Sequence, residues 1–191
     1  MKKILLSLFF VLMFTSGLVA QTLPTKRPCV ESNLTWRVTK HASSEFDGAT
    51  ENAHGSLGEK PTYTVFTVSG DVLVRGIWGV INTTITDAGD ACDLSLGVTG
   101  NTTAFFAAEA AGGASAGDTF ADGEVWAADG VAPVAGAEAE PGVQNIFMIN
   151  DGADVIETTT GADCTAGQMD YYIIWAPAES GAVVTSDGTL S

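Results

Sequence analysis

Apolar residues in this chain recur at alternate positions, in short runs separated by Gly, Asp, Asn and Thr. Leu94, Leu96 and Val98 alternate with Asp93, Ser95 and Gly97 across Cys92–Val98. That period of two belongs to a strand with one face buried. Tyr63–Val68 is dense in β-branched and aromatic residues, and Ser69-Gly70-Asp71 then signals a turn. Asp71–Thr86 reads as one long strand, bent at Gly76 or Gly79. Further strands are predicted over Thr103–Ala107, Thr119–Trp126, Val143–Ile149, Asp154–Thr159 and Gln168–Trp175, with a short last one at Val183–Thr185. Within Gln168–Trp175, Tyr171 to Trp175 fall on alternate faces of one core strand.

The stretches between strands are turn chemistry. Asp87-Ala88-Gly89-Asp90 and Thr99-Gly100-Asn101 reverse the chain. Ala108–Asp118 and Ala127–Pro141 are small and Gly-rich or acidic, and read as loops. No amphipathic helix of useful length appears, nor any internal repeat. About nine or ten short strands with turns between them predict an all-β fold, an antiparallel β-sandwich of jelly-roll type. Such a chain has no doubly wound nucleotide crevice.

Residues 21–60 differ in composition from the β-rich remainder of the chain. They hold Pro24, Pro28, His41, His54 and five of the lysines and arginines. We read them as an extended arm or irregular lead-in, with Leu34–Val38 as a short strand, and place the sandwich domain at 61–191. Residues 1–20 read as a signal peptide. Lys2 and Lys3 precede an apolar run, Ile4–Phe14, that is too short to span a bilayer, and cleavage fits after Ala20 or after Gly17. The expected compartment is therefore extracellular, with no membrane attachment after cleavage.

Charge narrows the partners. The chain carries a formal −15, and loss of Lys2 and Lys3 takes this to −17. Nucleic acid and anionic lipid both require positive surface, so neither is an expected partner. From Gly76 to Ser191 there is no Lys, Arg or His, although 17 of the 23 acids lie there. A site in that stretch lacks an imidazole base, an arginine clamp and a lysine nucleophile, which most catalytic constellations require. His41 and His54 lie in a polar segment where the expectation is solvation, and no Gly-x-Ser-x-Gly elbow accompanies them. Paired carboxylates beside Trp126, Tyr171, Tyr172 or Trp175 are the one hydrolytic option, and an acidic β protein offers many such pairs by chance. No enzyme is expected.

Three cysteines remain to be placed. Cys29, Cys92 and Cys164 fit no zinc spacing. Cys92 and Cys164 each precede a strongly β segment, which makes them a disulfide candidate at neighbouring strand ends, against the alternative of three free thiols. Cys29 is then left over as an intermolecular cross-link candidate. Two acidic groups offer oxygen ligands for calcium: Asp87, Asp90 and Asp93 around one loop, and Asp151 and Asp154, with Asn150 and Glu157, around another. Neither has EF-hand spacing, and ordinary turn formation explains both. Calcium is thus the single cofactor considered.

A resemblance rests on the order of several phrases between about Val65 and Val184. They are Leu94-Ser95-Leu96-Gly97-Val98-Thr99-Gly100-Asn101-Thr102, Asp122-Gly123-Glu124-Val125-Trp126, Asp154-Val155-Ile156-Glu157-Thr158, Thr165-Ala166-Gly167 and Tyr171-Tyr172-Ile173-Ile174-Trp175. This order resembles small β-rich structural proteins of tailed bacteriophages. The resemblance implies a non-catalytic protein on a repetitive particle surface and carries over no functional residue. The signal peptide and the lead-in depart from that pattern and point to an exported relative.

The expectation is an exported subunit that packs with identical copies as a filament, coat or surface lattice. Edge-strand pairing would drive it, with Thr22–Val38 as a donated strand and Cys29 as a lock. The alternative is a secreted adhesin, or a carbohydrate- or calcium-binding module, with Trp126 and the Ala127–Pro141 loop as its binding edge.

Overall fold

The computed structural model describes residues 34–58, 61–87, 89, 91–112, 120–127 and 146–190. Residues 1–20, read above as a signal peptide, residues 21–33 with Cys29, and Asp90 lie outside the described residues.

The described residues form ten strands in two antiparallel sheets. They are β1 (Arg37–Glu45), β2 (Thr62–Ser69), β3 (Val72–Asp87), β4 (Asp93–Val98), β5 (Asn101–Ala110), β6 (Val125–Ala127), β7 (Phe147–Ile149), β8 (Val155–Thr160), β9 (Cys164–Pro177) and β10 (Val183–Leu190). The first sheet runs β1-β9-β3-β6, with β7 also on β3. The second runs β10-β2-β8-β4-β5. β6 pairs with Trp78–Val80 and β7 with Val72–Val74, so the two short strands share one strand position along β3. With that position counted once, the first nine strands take the jelly-roll order. Each connection crosses between sheets except the β4–β5 hairpin. β10 is an addition on the outer edge beside β2.

The sheets face each other across an apolar layer. From the first come Val72, Val74, Ile77, Ile81, Ile85, Met169, Tyr171, Ile173 and Trp175. The second contributes Phe66, Val68, Leu94, Leu96, Phe106 and Val155. Alternation sends every second residue inward, which is why the period-two reading of Cys92–Val98 and of Tyr171–Trp175 matches the structure. Cys92, just before β4, and Cys164, opening β9, form a disulfide with Cα atoms 5.4 Å apart. It joins the two sheets at one end of the sandwich.

The domain boundary expected at residue 60 moves. Residues from Leu34 onward form one compact unit. β1 pairs along β9 from Arg37↔Trp175 to Glu45↔Gln168. The loop after it is fixed to Cys164: Gly48 N–H donates to the Cys164 carbonyl and Cys164 N–H to the Gly55 carbonyl, both at 2.9 Å. Gly55 has φ +89° and a Cβ there would lie 2.6 Å from the Cys164 carbonyl oxygen, so only glycine fits the approach. Phe46 and His54 then sink into the core at 2% and 7% exposure. The polar composition of this segment hid the few residues that anchor it.

Other boundaries shift for local reasons. Thr119, where a strand was expected to open, lies outside the described residues. Phe120 sits buried in a loop, where its carbonyl accepts from Ile85 N–H at 3.0 Å, and the strand begins at Val125. β10 runs on to Leu190 because Ser186-Asp187-Gly188 forms a bulge rather than a turn, with Gly188 at φ +134°.

Candidate functional site

The two outer faces of the sandwich differ in chemistry. Cross-strand register reads the first sheet's outer face row by row. One row is Lys40–Tyr172–Trp78–Ala127, across β1, β9, β3 and β6. The next is Val38–Ile174–Gly76, and on its other side lies Asp170–Val80–Val125. Ala176–Leu73–Met148 closes the face along β7. Trp78 and Tyr172 stand parallel, centroids 5.3 Å apart and planes within 6°. Val38 is 63% exposed and Met148 55%. Trp36, leading into β1, lies beneath the Arg75 guanidinium at 6.0 Å.

A sandwich needs apolar residues only on its inner faces, and a solvated outer face is ordinarily polar. The second sheet follows that rule. Its outer rows are mainly threonine and serine: Val183–Ser69, Thr185–Thr67, Thr189–Thr64–Ile156–Gly97 and Thr62–Thr158–Ser95. The first sheet carries tryptophan, tyrosine, isoleucine, valine and methionine in the same positions. Trp78, Tyr172 and Ile174 are half-buried there and Val38 and Met148 exposed, and an apolar outer face of that kind is the usual mark of a contact surface.

Charge separates the face further. Among the described residues the lysines and arginines are Arg37, Lys40 and Arg75, all on β1 or this sheet's face. Lys40 Nζ pairs with Asp170 at 2.7 Å, and its hydrogen bonds to Asp170 and Tyr172 hold the ammonium pKa above its ordinary value. Arg37 lies over the Trp175 ring at 5.1 Å. Asp170 is the one carboxylate in the rows of this face.

Inside the sandwich lies a polar group that sequence reasoning missed. Glu157 on β8 is fully buried. His54 Nε2 is hydrogen-bonded to its Oε1 at 2.8 Å, and the Tyr171 hydroxyl donates to Oε2. His54 Nδ1 donates to the Glu45 carbonyl at 3.2 Å. The carbonyl can only accept, so Nδ1 carries a proton, and Nε2 shares the other hydrogen bond with the Glu157 carboxyl group. The ring is stacked between Phe46 and Tyr63, with centroids 4.2 and 3.9 Å away. His41 lies close by and is handled differently. Its Nδ1 meets Ser186 Oγ at 2.8 Å and its Nε2 meets Tyr63 Oη at 3.1 Å. Hydroxyls donate or accept, so the neutral ring is satisfied there. Burial, then the neighbouring His54, hold the His41 pKa below its ordinary value, against the pull of Glu157, Asp187 and Asp170.

Both histidines, expected in solvent, are 5% and 7% exposed. The group joins β1, β2, β8, β9 and β10, so it ties the two sheets together. Sealed in this way, it offers no face to a substrate. Its only sequence signal was a carboxylate alternating inward between Val155 and Thr159; the His54 partner lies 103 residues away.

The calcium candidates separate. Asp87 and Asp93 flank the β3–β4 turn at one end, and Asp151 and Asp154 lie in the β7–β8 turn at the other. Their oxygens accept from backbone. Asp87 Oδ1 takes Gly89 N–H at 2.9 Å, Asp151 Oδ1 takes Gly70 N–H at 2.7 Å, and Asp154 Oδ1 takes Val68 N–H at 2.9 Å. Glu157 points into the core. Among the described residues no group of three or more His, Cys, Asp or Glu is placed to hold an ion.

Trp126, expected at an exposed binding edge, is fully buried. It packs against Phe106 and Phe120, with Nε1 donating to Glu109 Oε2 at 3.1 Å. A cavity of about 240 Å³ opens beside it between β5 and β6, lined by Phe105, Phe106, Glu109 and Trp126. The short β6 gave no period from which its inward face could be read.

No protein-family model matches this chain, and no curated protein does. A solved structure titled "Cyanophage Pam1 capsid asymmetric unit" aligns over 82% of this chain and 94% of its own, at 15% identity and a TM-score of 0.46. A superposition of that quality carries no inference about role.

Proposed function

We propose that the protein is an exported, non-catalytic structural subunit that packs with identical copies into an extracellular coat, filament or surface lattice. The observation that carries this reading is the outer face of the first sheet, where Trp78, Tyr172, Ile174, Val38 and Met148 face outward in a chain of formal charge −15. A solvated outer face has no need of such residues, whereas a subunit interface does. The jelly-roll order suits the reading, since capsid subunits are built on it. Lectins and cupins are as well, so the fold alone does not choose.

The donated-strand idea contracts. Arg37 and Val38 already pair with Trp175 and Ile174 of their own chain. An exchanged arm therefore ends before Leu34, with Cys29 inside it as the covalent lock. The carbohydrate reading loses its residue, because the buried Trp126 ring has no free face on which a sugar would stack.

The test is negative-stain imaging and light scattering of the secreted protein, with and without reductant. Regular filaments, sheets or shells are expected, and loss of covalent oligomers under reductant would identify Cys29 as the lock. A monodisperse monomer at high concentration under both conditions would refute the reading.

A further inference from the structure

At formal charge −15 two copies of this protein repel over most of their surfaces. The outer face of the first sheet is the exception. Arg75 and Lys40 stand on it among Trp36, Trp78, Tyr172 and Ile174, with Asp170 as the one acid in its rows.

One end of the sandwich has the opposite character. Three turns meet there, and their carboxylates are linked. Gly70 N–H donates to Asp151 Oδ1 at 2.7 Å, Asp151 N–H to Asp71 Oδ1 at 3.0 Å, and Asp71 N–H to Glu179 Oε1 at 3.1 Å. The hydrogen bonds hold Asp71, Asp151 and Glu179 in one fixed array. Glu179 and Asp151 are exposed, and none of the described cations lies in these turns.

We infer that the aromatic face of one copy receives the Asp71–Asp151–Glu179 end of a second copy, in a head-to-tail contact. This rests on the self-assembly proposed above and names its interface. Arg75 and Lys40 would meet the carboxylates at the rim, while Trp78, Tyr172 and Ile174 lose water in the middle, the usual division of an interface into polar rim and apolar centre. Two different surfaces of the same chain are used, so the contact is heterologous. It propagates into a filament or closes into a ring, according to the rotation between copies. Face-to-face pairing of two aromatic faces would instead close on a dimer and set Arg75 near its own kind.

The experiment is a charge swap read by analytical ultracentrifugation of the full chain. Arg75 is the cation to reverse, because it leans on Trp36 at the surface and reversing it does not disturb the Lys40–Asp170 pair. Arg75→Glu is expected to weaken association at least about tenfold, and Glu179→Lys to do the same. Mixing the two variants is expected to restore alternating contacts to near the wild-type constant. Unfolding midpoints unchanged from wild type would show that both variants fold.

If the wild type assembles and neither variant weakens it, the head-to-tail contact is overturned while the assembly reading survives. Failure of the mixture to recover likewise overturns the contact. A wild type that never assembles overturns both.

Discussion

Tyr171 and Tyr172 are adjacent in sequence, identical in chemistry and opposite in situation. Tyr171 points between the sheets, is fully buried, and gives its hydroxyl to Glu157. Tyr172 points outward, stacks on Trp78 and holds the Lys40 ammonium. One peptide step along β9 thus separates a residue that holds the fold together from one that the fold presents. The same division runs through the whole first sheet. Its inner face is fixed by contacts within the chain. Its outer face carries aromatic side chains that add less to the fold and are suited to contact. Substitutions inside should therefore cost stability and leave surface chemistry unchanged, and substitutions outside should do the reverse.

The largest effect belongs to the inner polar pair. His54→Ala leaves the Glu157 carboxylate buried with Tyr171 alone, and breaking such a pair costs about 3–5 kcal/mol. Urea unfolding measures it. Replacing His54 and Glu157 together by leucine removes the pair whole and should recover most of that loss, since apolar substitutes for a buried pair are commonly neutral. Recovery would show that the damage comes from the stranded carboxylate rather than from lost packing around Phe46 and Tyr63.

Next is the disulfide on the same inner side. Cys92 and Cys164 are separated by 72 positions, and opening a loop of that size costs about 4 kcal/mol in chain entropy. Cys92→Ser with Cys164→Ser should lower the thermal midpoint accordingly. The outer face should be unaffected, with assembly of the folded fraction retained.

The tyrosine pair supplies the sharpest contrast. Tyr171→Phe removes a hydrogen bond to a buried carboxylate and should cost about 1.5–3 kcal/mol. Tyr172→Phe keeps the ring stack and should stay within about 0.5 kcal/mol of wild type. Equal costs at the two positions would erase the distinction between the faces.

The smallest effect is the pH response of His41. Its folded pKa lies below the ordinary 6.5, because burial and His54 disfavour its charge. The unfolded chain therefore binds the proton more readily. Its contribution to stability is complete above about 6.5 and declines as pH falls from there toward the lower folded value. His41→Gln should flatten that part of the stability–pH curve, followed by thermal unfolding between about pH 7.5 and 5.

Much of the fold was legible because strand alternation is local. Leu94, Leu96 and Val98 declared their face within six residues, and Tyr171–Trp175 did so as well. What local pattern cannot carry is partnership across the chain. His54 and Glu157 meet over 103 positions, and nothing in a polar stretch around His54 marks it as buried. For the same reason β1 looked like an arm: its pairing partner, β9, begins at Cys164. Trp126 was misplaced because β6 is three residues long and shows no period. The outer aromatic face was legible only in register, since Trp78 and Tyr172 become neighbours through the β3–β9 pairing.

The most direct measurement is made on Trp78→Ser/Tyr172→Ser, by sedimentation and by urea unfolding on the same preparation. The pair's stacking contributes about 0.5–1.5 kcal/mol, so the variant should remain folded with a modestly lowered midpoint. Self-assembly should be lost, leaving a monomer at concentrations where the wild type is expected to form large particles. A variant that assembles as fully as the wild type would contradict the assignment of this face to subunit contact.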